Sequence, residues 1–297
     1  MNSLFEIIVG GEDLENEIAA AEAALDEIAR IETVLSRFDP ASEVARVNRE
    51  AHQRPVLISY ELLEILETCR SSWEKTFGYF DITASGNPSR KTKSTFEFVS
   101  IDVAERRISF LEPAVRLDFG AFGKGYALDC AARILIESGV QNAVLHGGTS
   151  SVLAMGNSAQ VGLRNPWSTT EEIESVSLCN QGLSSSAGFH EGQITSDLVD
   201  PLQQIPLRDD AACVVIGATA TEAEIFSTAL LCMGKERAKK FCAESLSPQV
   251  LILWLDKAGE NGAPICSQLV TSKKQKPSEN FQSLSRLQTG APLQKKL

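Results

Sequence analysis

The sequence predicts an α+β fold of mixed, mainly antiparallel sheets with packed helices, in a single compact unit. Short segments of strand-like alternation follow one another across tight turns such as Gly147-Gly148 and Gly156-Asn157, the pattern of strands that pair antiparallel. Long helical patterns are interspersed, without the regular alternation of strand and helix that a doubly wound parallel sheet requires. With 297 residues and 43% apolar content, the chain can bury a continuous core.

The elements can be justified in order. A strand is expected over residues 3–9. Leu14, Ile18, Leu25, Ile28, Ile31 and Leu35 then recur at helical spacing and predict a long helix with one face on the core. Pro40, in Phe38-Asp39-Pro40-Ala41-Ser42, disfavours a helical residue before it and ends that run. Ser59 is a good N-cap with Glu61 in the first turn, and a helix to about Lys75 turns Leu62, Leu63, Leu66, Cys69 and Trp73 inward. Alternation between Glu97 and Asp118 predicts three short strands, EFVSIDV, RISFL and VRLDF. The run 122–138 reads as a helix, and Gly139 suits the left-handed position after it. Strands are expected at 142–146, 150–155, 160–163 and 212–216. Thr219-Ala-Thr-Glu222 is a capping-box pattern that opens a helix to about Met233. A last helix and a strand at 250–255 close a domain that spans residues 1–270. Residues 271–297, rich in Lys, Gln, Ser and Pro, lack the apolar content to offset the entropy of ordering and are expected to form a disordered, mildly basic tail.

Composition excludes several functions. A net charge of −11 would repel a nucleic-acid backbone, which proteins bind by neutralising phosphates with Lys and Arg. No stretch approaches the roughly 20 apolar residues that span a bilayer, and the start lacks a basic flank leading into an apolar run, so a cytoplasmic chain without membrane insertion is expected. The seven cysteines form no CxxC pair and read as reduced core thiols. The three histidines stand in no HExxH or other zinc spacing, so a bound metal would have to rely on oxygen ligands.

The most informative run is Leu117-Asp118-Phe119-Gly120-Ala121-Phe122-Gly123-Lys124-Gly125-Tyr126-Ala127-Leu128-Asp129, where a strand meets a helix through three glycines. Glycines there let backbone amides approach an anion at the helix N-terminus. The run is neither a P-loop, because Gly125 follows Lys124, nor a Rossmann fingerprint, because the spacing is wrong. Its residues alone leave a structural turn and a phosphate site both open.

This run resembles the corresponding segment of the FAD:protein FMN transferases, the ApbE family, and the likeness extends over most of the chain. Leu35-Ser36-Arg37-Phe38 with Ser42-Glu43-Val44 and Arg46-Val47-Asn48 is similar to one family segment, and Phe77-Gly78-Tyr79-Phe80-Asp81-Ile82-Thr83 to the next. Val144-Leu145-His146-Gly147-Gly148, Ser186-Ala187-Gly188, Asp197-Leu198-Val199-Asp200-Pro201 and Ala223-Glu224-Ile225-Phe226-Ser227-Thr228-Ala229-Leu230 resemble others, in the family's order. The resemblance implies an ApbE-like, T-fold-related unit. It also implies a magnesium-dependent enzyme that moves FMN from FAD onto a threonine of an acceptor flavoprotein and releases AMP.

Carried residue by residue, the resemblance implies FAD contacts from Phe38, Asn48, Tyr79, Phe80, Asp81, Asp118, Lys124 and Leu198. It implies that the Ala121 carbonyl, Glu224, Ser227 and Thr228 hold Mg2+ or another divalent cation. Asp197 stands where the family has a catalytic His, and Glu224 where it has a metal-binding Asp. The segment between Thr83 and Glu97 is also shorter than usual for the family. The alternatives left open are a noncatalytic FAD-binding protein of the same fold and a metal-dependent FAD pyrophosphatase. For Phe38 and Phe80 the residues alone favour core packing, and for Glu224 a solvated carboxylate in the first turn of a helix.

Overall fold

The strand Ala211–Gly217 is buried along its whole length, with Ala211, Cys213 and Val215 in one hydrophobic cluster and Ala212, Val214 and Ile216 in another. Side chains on a strand alternate between faces, so this strand separates two apolar layers. The architecture follows from that division.

The computed structural model describes residues 3–11, 13–84, 95–168, 171–189, 198–207, 209–247, 249–257, 265–269 and 293–296. In chain order its first elements are β1 (Leu4–Val9), α1 (Leu14–Leu35), α2 (Glu43–Glu50), β2 (Val56–Leu57) and α3 (Tyr60–Lys75). A short 3-10 turn, β3 (Val99–Asp102), β4 (Arg107–Phe110) and α4 (Gly123–Glu137) follow. Next come β5 (Ala143–Gly147), β6 (Ser151–Met155), β7 (Ala159–Arg164), β8 (Glu172–Leu178) and β9 (Gln181–Ala187). The last part holds β10 (Val199–Asp200), β11 (Ile205–Pro206), β12 (Ala211–Gly217), α5 (Ala220–Met233), α6 (Lys235–Ser245), β13 (Leu251–Asp256), β14 (Ile265–Leu269) and β15 (Leu293–Lys296).

The main sheet has eight strands in the order β14-β13-β12-β9-β6-β5-β1-β15, and every neighbouring pair is antiparallel. Helices α1, α3, α4 and α5 contribute Ile28, Leu66, Leu128 and Leu230 to one hydrophobic cluster, which also includes Phe5, Leu145, Cys213 and Trp254 of the sheet. The opposite face, with Val152, Leu183, Val214 and Leu255, is covered by Val161, Leu163, Val176 and Leu178 of the β7–β8 hairpin. The fold is therefore α+β with mainly antiparallel sheets, as the sequence predicts.

Local chemistry accounts for the helix ends. Ser42, Ser59 and Thr219 each accept a backbone N–H of the first turn of α2, α3 and α5 through the side-chain oxygen, and Asp13 does so for α1. Gly139 takes φ +85° after α4, the left-handed position expected of it.

Several expectations are corrected. The segment VRLDF is not a strand. Leu117 gives both its backbone groups to the Asn48 side chain, and the Asp118 N–H donates to the Ile82 carbonyl at 2.7 Å, which leaves no ladder to form. Its place beside β4 is taken by β2, with Val56 opposite Ile108. The alternation in VRLDF reflects burial of Val115, Leu117 and Phe119 without sheet pairing. Of the residues expected to form a tail, 293–296 are β15, which pairs antiparallel with β1, and 271–292 and 297 lie outside the described residues. The open edge of β1 offers unpaired backbone groups, and such pairing does not require apolar sequence. Five cysteines are buried and unpaired, whereas Cys179 and Cys266 are exposed. Among the described residues, no helix is long and apolar enough to cross a membrane.

Candidate functional site

The site is built where the N-terminus of α4 meets α5. A Cβ at Gly125 would stand 2.5 Å from the Ala220 carbonyl oxygen, so only glycine lets the two helices approach this closely. Strand β9 is small on the same side. Ser184 and Ser186 both turn toward α5, and a Cβ at Gly182 would collide with the backbone of Thr219 and Ala220.

Helix α4 has no side-chain cap of its own, because its N-cap residue is Phe122. Glu224 supplies one from α5. The Gly125 N–H donates to one carboxylate oxygen and the Lys124 ammonium to the other. Glu224 is only 2% exposed, so its charge is tolerated only because it is paired and hydrogen-bonded. The solvated first-turn reading of Glu224 is thereby corrected: α5 is buried on nearly every side. In return, Asp129 of α4 caps α5. Ala220 N–H and Thr221 N–H donate to its two oxygens at 2.9 Å each, and the Thr221 hydroxyl donates at 2.5 Å. Burial pushes the Asp129 carboxyl above its usual range despite these bonds.

One turn further along α5, hydroxyls gather. Ser186 Oγ lies 2.9 Å from Ser227 Oγ and 3.3 Å from Thr228 Oγ1. The Ser227 hydroxyl also contacts Ser184 Oγ and the Glu224 carbonyl, both at 3.2 Å. Glu224 and Thr228, at i and i+4, share a helix face. Glu224, Ser227 and Thr228 are thus brought together with Ser184 and Ser186. Ala121 lies half-buried in the turn just before α4.

That turn is fixed from several sides. The Asn48 amide donates to the Leu117 carbonyl at 2.9 Å and accepts the Leu117 N–H at 2.6 Å, acting as a surrogate strand. Asp118 accepts the Gly120 N–H at 3.0 Å and pairs with Arg37 Nε at 3.0 Å. The Phe122 and Gly123 amides donate to the Phe119 carbonyl. The glycine turn is therefore held largely by internal partners. Arg37 also lies 4.3 Å from the centroid of the Phe38 ring, close enough for a cation–π contact.

The aromatic candidates divide by burial. Phe38 is 77% exposed, so core packing is not its role, whereas Phe80 is 1% exposed and sits in the main core. Tyr79 is buried, and its hydroxyl accepts from Arg237 of α6. Gly78, at φ +82°, and Phe77, at φ 54°, form the left-handed turn that places them. Asp81 is half-buried and accepts the Thr83 N–H and hydroxyl, each at 2.7 Å, and the Phe96 N–H at 3.1 Å. Leu198 packs on the main core, and its carbonyl accepts the Leu207 N–H. Asp197 lies outside the described residues.

Sequence reasoning did not single out Arg37 or Asp129, and it placed Ser186 in a matching motif without a role. The pattern Gly182-x-Ser184-x-Ser186, small residues at every second position, is the signal that marks the face on which α5 rests.

Comparison with known proteins bears on the family and the fold. Curated FAD:protein FMN transferases from Klebsiella pneumoniae and Escherichia coli are 24% and 22% identical over 273 and 275 residues. The first alignment covers 80% of this chain and 77% of that relative, the second 81% and 78%. The fold is similar to that of the ApbE protein of Thermotoga maritima, at a TM-score of 0.75 and 22% identity over 89% of this chain and 93% of that one. It is also similar to that of the flavin transferase ApbE of Vibrio cholerae, at 0.71 and 17% over the same shares. A family model described as the ApbE family matches residues 1–253, and with that span of agreement the chain belongs to the ApbE family.

Proposed function

We propose that the protein is a FAD:protein FMN transferase that moves FMN from FAD to a threonine hydroxyl of an acceptor protein and releases AMP. The observation that carries the reading is the meeting of the α4 turn with the Glu224–Thr228 face of α5, in a chain of the ApbE family. The curated relatives bear that enzyme's name.

The side chains suit a divalent cation of the magnesium type. Glu224, Ser227 and Thr228 offer only oxygen, and the Lys124 ammonium already rests on Glu224 as a positive charge. Among the described residues, no three His, Cys, Asp or Glu side chains converge, so hydroxyl and carbonyl oxygens must provide the rest of the shell. Glu224 and Thr228, with Ser227 and the Ala121 carbonyl, would hold the cation. When bound, it would neutralise charge on the pyrophosphate.

The chain's own residues do the remaining work. The exposed Phe38 ring offers a stacking surface to the flavin, steadied by Arg37. Asn48 and Asp118 fix the turn on which the pyrophosphate rests, and Tyr79, Phe80, Asp81 and Leu198 shape the walls around the flavin. In the transfer step the acceptor hydroxyl oxygen bonds to the FMN phosphorus, the bond from that phosphorus to the AMP-side oxygen breaks, and AMP leaves. Asp197 takes the hydroxyl proton, a role the family gives to His. As the base, its carboxylate would work at lower pH than an imidazole.

The test is AMP release from FAD by purified protein with magnesium, with and without a threonine-containing acceptor peptide, read with the peptide's mass. AMP together with an FMN adduct supports the transferase. AMP without an adduct would mean a pyrophosphatase, and tightly bound FAD with neither product a flavin-binding protein without turnover.

A further inference from the structure

Lys124 sits in an unfavourable place for a cation. It is the second residue of α4, where unpaired amides make the helix end positive, and its side chain is 19% exposed. What keeps its ammonium there is the Glu224 carboxylate, whose side chain is 3% exposed. The groups that face this carboxylate are the Lys124 ammonium on one oxygen and the Gly125 N–H on the other. Without the ammonium, one oxygen of a buried anion would lose its charged partner, which is strongly destabilising.

We propose that Lys124 is a built-in counter-cation that a divalent ion displaces from Glu224. This rests on the reading of Glu224 and Thr228 as the cation site. In the metal-free protein the ammonium neutralises Glu224 and keeps the α4–α5 junction folded. A divalent cation bound between Glu224 and Thr228 supplies that neutralisation more strongly, and the flexible lysine stem swings its ammonium out through its exposed side. Metal affinity is therefore set partly by the cost of evicting Lys124.

The experiment measures Mn2+ binding to metal-free protein by the electron paramagnetic resonance signal of free Mn2+. It compares wild type with Lys124→Gln and Glu224→Gln. The glutamine at 124 keeps a hydrogen-bond donor for Glu224 but carries no charge. It is expected to bind Mn2+ about tenfold or more tightly than wild type, because the competing charge is gone. Glu224→Gln is expected to lose binding. In a second readout, Lys124→Met lowers the melting temperature of metal-free protein, and saturating Mn2+ raises it by more than it raises that of wild type. Equal or weaker Mn2+ binding by Lys124→Gln overturns the proposal, as does a Lys124→Met melting temperature that Mn2+ leaves unmoved. The transferase reading is tested separately by AMP release and peptide mass in wild type. Tighter Mn2+ binding by Lys124→Gln in a protein that transfers no FMN would keep the exchange and discard the transferase.

Discussion

Glu224 and Asp129 cap each other's helices: Glu224, on α5, holds the Gly125 amide at the start of α4, and Asp129, on α4, holds the Ala220 and Thr221 amides at the start of α5. Each carboxylate satisfies helix-end donors that would otherwise be stranded in a buried junction. The site's cation candidates therefore rest on a frame that both helices build together.

Asp129→Asn tests that frame. The amide would present a donor to at least one of the donors now facing Asp129, leaving buried N–H or O–H groups unpaired. A loss of about 1–3 kcal/mol in urea denaturation is expected. Unchanged stability would show that the junction does not depend on this cap.

Phe38 and Phe80 should behave oppositely. Phe80→Ala empties a core position and is expected to cost about 3–5 kcal/mol. Phe38→Ala removes a side chain that is 77% exposed and should stay within about 0.5 kcal/mol of wild type. It should nevertheless weaken FAD binding about tenfold, by loss of a stacking surface. Flavin fluorescence titration separates the two, and unaltered FAD affinity in Phe38→Ala would remove Phe38 from the site.

Much of this was legible in the sequence because it is local. The long helix α1 was readable from the spacing of Leu25, Ile28 and Leu35, and α5 from the capping pattern at Thr219. The α4 turn was legible from its glycines. What escaped is what distant partners decide. VRLDF alternates like a strand, yet its backbone is claimed by Asn48, some seventy positions earlier in the chain. Strand β9 carries Gly and Ser on the face toward α5, so its apolar signal is weak until the packed helix is known. The partner of Glu224 could not be read from its own neighbourhood, because Lys124 and Gly125 come from another helix.

Thr228→Val probes the cation reading with little change of shape. Thr228 makes a 3.3 Å contact with Ser186, and Ser186 keeps its partner Ser227 in the variant. Stability is expected to fall by no more than about 1 kcal/mol. Magnesium-dependent AMP release is expected to drop about tenfold or more, since an oxygen ligand is replaced by a methyl group. Full turnover would exclude Thr228 from the ligand set.

Asp81 supplies a prediction in pH. Burial raises its carboxyl above the usual aspartate range, against the opposing hydrogen bonds from Thr83 and Phe96. A raised folded pKa means that the folded protein takes up this proton before the unfolded chain does. The stability gained from Asp81 is then fully present below the unfolded value and is lost as pH rises through the folded one. Asp81→Asn cannot titrate, and the acid response of all other groups cancels when the variant is compared with wild type at each pH. The wild type should therefore exceed Asp81→Asn by most near pH 4 and by progressively less toward pH 7, in urea melts across that range. A difference that grows with pH would instead mean that Thr83 and Phe96 outweigh burial and hold Asp81 as a stabilised carboxylate.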